Sequence, residues 1–129
     1  MSDELAYTLA PTPIEGGAAG FTLPAYGTQV APTIGAAIAT LAAPGAGNYK
    51  LTVIPSYGST ADVIDNMELK VGATVISTLK VQAAANGAPI THVFDRVAVA
   101  AGDAITVNAV AAGAVSSVYS VLILATPVG

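Results

Sequence analysis

"MELKVGATVISTLKV", residues 67–81, places Met67, Leu69 and Val71 on one side of the backbone and Glu68 and Lys70 on the other. A side-chain period of two belongs to a half-buried strand, whereas a helix would repeat every 3.6 residues. Gly72 then supplies a turn, and "TVISTLKV" (74–81), rich in β-branched residues, reads as the returning strand. An antiparallel hairpin is the expected unit here. Similar segments flank it: "TIGAAIATLA" (33–42), "YKLTVIP" (49–55), "THVFDRVAVA" (91–100), "AITVNAVA" (104–111) and "SVYSVLILATPVG" (117–129). They are separated by the turn clusters "APGAGN", "AAANGAP" and "AGD". Seven or eight short strands with frequent turns and no helix predict an all-β fold, an antiparallel β-sandwich of Greek-key or jelly-roll type.

Composition narrows the functional classes. Charged residues make up 9% of the 129 positions, and the net charge is −4. Four scattered cations, Lys50, Lys70, Lys80 and Arg96, cannot neutralise a run of phosphates, so nucleic acid is not an expected partner. There is no cysteine, hence no disulfide framework, thiolate metal site or thiol nucleophile. Apolar residues reach 53%, but the uncharged stretches 16–49 and 104–129 are interrupted by Gly, Pro, Ser, Thr or Asn. Neither supplies the ~18 consecutive apolar residues of a membrane span. The start, "MSDELAYTLAPTP", is acidic and lacks the pattern of a secretory signal. A soluble, unexported chain with little surface charge is expected, as in a protein covered by its own copies or by a larger assembly.

Residues 1–32 read as an extended N-terminal arm and 33–129 as the sandwich domain. Pro11, Pro13, Pro24 and Pro32, with Gly16, Gly17, Gly20 and Gly27, leave no room for a long helix or a central strand. Yet Leu5, Tyr7, Leu9, Ile14, Phe21, Leu23 and Tyr26 give the arm apolar anchors that could pack on its own domain or on a partner. The last strand poses a different question. Val118, Leu122 and Leu124 share one face and Tyr119, Val121 and Ile123 the other, so both faces are apolar. A two-sheet sandwich buries only one face of each strand. The expectation is that the Leu122 face joins the core and that Tyr119, Val121 and Ile123 form an oligomer interface.

Catalytic apparatus is not visible. His92, the only histidine, has no second histidine or cysteine with which to hold zinc, and no nucleophile and orienter to serve as a base. Asp62, Asp65 and Glu68, with Asn66, could offer oxygens to calcium, but their spacing matches no EF-hand loop. Asp65-Asn66 reads more simply as a turn opening a strand. Phosphate loops and nucleophile elbows are absent. The expectation is a non-enzyme with no cofactor and no metal. Sugar binding is the rival reading. "TADVIDNMELKVGATV" is similar to a stretch of carbohydrate-binding jelly rolls, and Tyr49, Tyr57 and Tyr119 could contribute to a platform, though no tryptophan is present.

The last third, "HVFDRVAVAAGDAITVNAV" followed by "VYSVLILATPV", resembles the head decoration (cement) proteins of tailed bacteriophages, and "AGDAITV"-style turns also resemble trimeric C1q and tumour-necrosis-factor domains. The decoration-protein resemblance implies a homotrimer on the capsid exterior of a virion, made in the host cytoplasm. It also implies an arm lying across the major capsid protein through Leu5, Tyr7, Leu9, Pro11, Pro13 and Ile14. The alternative is a carbohydrate- or receptor-binding sandwich of a phage fibre, tail or surface assembly.

Overall fold

The computed structural model describes residues 22–58, 64–82, 88–110 and 118–128, with the side chains of 64–66 left aside. Eight strands follow in chain order: β1 (Leu23–Val30), β2 (Ala37–Leu41), β3 (Gly47–Tyr57), β4 (Ile64–Val71), β5 (Thr74–Val81), β6 (His92–Val99), β7 (Ile105–Ala109) and β8 (Val118–Val128). They form two four-stranded sheets, ordered β1-β8-β3-β6 and β2-β7-β4-β5. Every pairing is antiparallel. The expected antiparallel sandwich is therefore the observed fold. Pairs nest: β1 with β8, β2 with β7, β3 with β6 and β4 with β5, as in one long hairpin wound around a core.

The core is the set of inward positions that the period-two pattern selects. Tyr49, Leu51 and Val53 of β3, Met67, Leu69 and Val71 of β4, and Leu79, Val81, Ile105 and Val107 belong to one cluster, all buried. The 67–81 hairpin turns at Gly72, whose φ of 58° suits a residue without Cβ. Gly72 N–H donates to Ala104 O across the neighbouring turn.

Two elements differ from the sequence reading for identifiable reasons. Leu23–Val30, placed there in the arm, is a full strand paired with β8 and so a part of the sandwich. Its proline is tolerated because β1 is an edge, where one side of the backbone needs no partner. The third strand runs on past Pro55 to Tyr57. Pairing of β3 with β6 ends at Val53, so Pro55 lies where β3 has an open edge despite its central place.

The two sides of the sandwich close differently. Along β1 and β2 the backbones touch: a Cβ on Gly27 would stand 1.9 Å from Ile38 O and 2.8 Å from Ala39 Cα. On the opposite side His92 Nε2 reaches Lys80 O at 2.8 Å, joining edge strands β6 and β5.

Candidate docking face

The eighth strand decides which surface the molecule offers. Tyr119, Val121, Ile123, Ala125 and Pro127 point inward and are buried. They lie opposite Tyr57, Pro55, Val53, Leu51 and Tyr49 of β3. Tyr57 and Tyr119 pack ring to ring, centroids 5.6 Å apart and planes tilted by 56°. The expected interface of Tyr119, Val121 and Ile123 is therefore corrected. These side chains fill the chain's own core and cannot reach a neighbour. The outward set is Val118, Ser120, Leu122, Leu124, Thr126 and Val128.

Register then shows what that outer face carries. Across β1, β8 and β3 one row reads Tyr26, Leu122, Ile54. The adjacent outward row reads Pro24, Leu124, Thr52 and, on β6, Val93. Tyr26 is 68% exposed and Val93 51%, while Leu122, Leu124 and Ile54 are half-buried. Polar rows bound this band on both sides. One holds Thr28, Ser120 and Ser56, with Ser120 Oγ donating to Thr28 Oγ1 at 3.3 Å. The other holds Thr22, Thr126 and Lys50, with the two threonine hydroxyls 2.9 Å apart. An apolar centre inside a hydroxyl-bearing margin is the layout of a protein interface.

The second sheet looks outward quite differently. Its rows read Thr40, Thr106, Lys70, Val75 and then Ala37, Asn108, Glu68, Thr78, mostly polar or charged, with Val75 the one large apolar side chain among them. Thr106 Oγ1 donates to Asn108 Oδ1 at 2.7 Å, and Asn108 Nδ2 donates to Gly35 O at 3.1 Å. That is an ordinary wet face.

The other residues singled out from the sequence do not converge on a site. Tyr49, Tyr57 and Tyr119, the expected sugar-stacking set, are all buried. The Tyr49 hydroxyl donates to Gly45 O at 2.9 Å, and burial pushes its phenol above the ordinary value. No stacking platform can be made from these three. Glu68 lies on the outward face of β4, whereas Asp62 and the Asp65 side chain fall outside the described residues. Among the described residues no three His, Asp or Glu side chains come together as a metal-binding group. Arm residues Leu5, Tyr7, Leu9, Pro11, Pro13 and Ile14 also lie outside them. An open cleft of about 330 Å³ separates edge strands β5 and β6 at one end, lined by Thr74, Ile76, Ala98, Val99 and Asp103 among others. Its one carboxylate, packed against the Gly72 turn, has only the Thr74 hydroxyl as a second polar side chain in the lining.

An eight-stranded antiparallel sandwich with one wet and one apolar outer face is the class of molecule these observations define. No protein-family model matches the chain, and no curated protein matches it in sequence. Among solved structures it is similar to one described as the cyanophage Pam1 capsid asymmetric unit, with a TM-score of 0.50 and 18% identity over 98% of each chain. At that identity the likeness shows a shared fold running the length of both chains.

Proposed function

We propose that this chain is a structural component of a viral capsid, one that decorates the shell from outside and stabilises it as a homo-oligomer. The full-length likeness in fold to a chain of the cyanophage Pam1 capsid asymmetric unit carries the reading. The nested strand order supports it, since it is compatible with the winding of a jelly roll, an architecture used in viral capsids. Sparse charge and an apolar outer face suit a protein that works covered by others. In this reading the role is architectural and not catalytic, and the chain is made in the host cytoplasm and ends in the virion. The N-terminal arm seats Leu5, Tyr7, Leu9 and Ile14 on the major capsid protein, and the resemblance to decoration proteins favours a trimer.

Co-sedimentation with capsids that lack the chain tests this. The full chain is expected to pellet with the shells and raise the temperature at which they rupture. Deleting residues 2–20 is expected to weaken binding by at least about 100-fold, since each buried apolar anchor contributes about 1.5–3 kcal/mol. The deleted chain should melt as before. A chain that ignores capsids and is retained on a glycan column would replace this reading with the carbohydrate-binding one.

A further inference from the structure

We propose that copies of this chain associate through the apolar band on the outer face of the β1-β8-β3-β6 sheet, formed by Tyr26, Leu122 and Ile54 with Pro24, Leu124 and Val93. The inference rests on the oligomeric part of the reading above and assigns it a surface. The contrast between the two outer faces is its first support. The β2-β7-β4-β5 sheet places against water rows dominated by Thr, Asn, Glu and Lys, with Val75 as their single large apolar side chain, near the sheet edge. The other sheet replaces that pattern with large apolar side chains at the centre and hydroxyls around them.

Size and charge favour a second copy as the occupant. Four strands about 4.8 Å apart and about 30 Å long present roughly 600 Å² in plan. Protruding side chains raise the accessible area toward the roughly 800 Å² per partner of a stable interface. Lys, Arg, Asp or Glu residues on this sheet are confined to Lys50 on β3 and to Asp95 and Arg96 of β6 beside it, at the level of the polar row outside the band. Two such faces can therefore approach without burying opposed like charges at the centre. The band also lies on paired strands with fixed register, so docking it to a second sheet orders little new chain. Covering it with the chain's own residues 1–21 would instead bring Asp3, Glu4 and Glu15 toward an apolar surface.

Sedimentation velocity on the full chain reads the outcome, alongside Tyr26→Lys, Leu122→Lys and a control, Thr78→Lys, on the wet face. Tyr26 is mostly exposed, so its replacement leaves folding intact even if Leu122→Lys does not. The parent and the control are expected to sediment as one oligomer. The two band variants should melt cooperatively as monomers, with association weakened about 100-fold or more. A parent chain that is monomeric at high micromolar concentration overturns the proposal, and most directly if deletion of residues 2–20 then makes it associate. An oligomer untouched by Tyr26→Lys and Leu122→Lys overturns it as well. Capsid binding is scored separately: a band-dependent oligomer that never binds shells would sink the capsid reading and leave this surface standing.

Discussion

Ile123→Lys is expected to yield no folded protein, whereas Leu122→Lys one position away keeps a cooperative melt. Ile123 is fully buried against Val53 of β3. Losing it removes about 1.5–3 kcal/mol of apolar burial. Placing an unpartnered ammonium in the core costs several kcal/mol more. Together these approach the 5–15 kcal/mol that holds a typical domain folded. Leu122 points outward, where a lysine can extend its stem over Ile54 and leave its charge in water, a change of about 1 kcal/mol or less. Circular dichroism melts of the pair measure both. Equal loss of folding in the two variants would mean that both faces of β8 belong to one core.

Gly27→Ala carries the second large effect. Its Cβ would meet Ile38 O at 1.9 Å and Ala39 Cα at 2.8 Å, and both are backbone atoms of β2 that cannot swing aside. Relief requires the β1 and β2 backbones to separate along the seam that closes one side of the sandwich. A cost of at least ~3 kcal/mol is expected, near the upper end for overpacked sites, which lowers the melting temperature by roughly 10 °C for a chain of this size. Gly58→Ala is the matched control. Its Cβ would find Val118 N at 3.7 Å and Val118 O at 3.9 Å, ordinary contacts, so stability should hold or rise slightly. A Gly27→Ala protein that melts with the parent would show that the strands do not meet there.

Where one face of a strand is polar, its position was plain in the residues. Thr74–Val81 is β5 as read, and Glu68, Lys70 and Lys50 mark outward positions that the structure keeps outward. The eighth strand was harder because alternation between two apolar faces has no sign. A discriminating signal was present in it: Ser120 and Thr126 fall on the Leu122 face, while Tyr119, Val121, Ile123, Ala125 and Pro127 include no hydroxyl other than the phenol. The first strand was hidden for another reason. Pro24 and Gly27 argue against a central strand, yet an edge permits the proline and the seam with β2 demands the glycine. Tyrosines misled in the same way, since a residue with an apolar ring and a polar tip suits a platform or a core equally. Only the pairing of β3 with β8 places Tyr57 against Tyr119 inside. The docking band could not be read from the sequence at all, because it assembles Tyr26, Leu122, Ile54 and Val93 from four strands through register.

A reconstruction of capsids incubated with the purified chain tests the central claim most directly. Eight-stranded sandwiches standing on the outer surface of the shell, with their N-terminal segments running over shell subunits, are the predicted result. Shells that remain bare at saturating concentrations of the folded chain would contradict it.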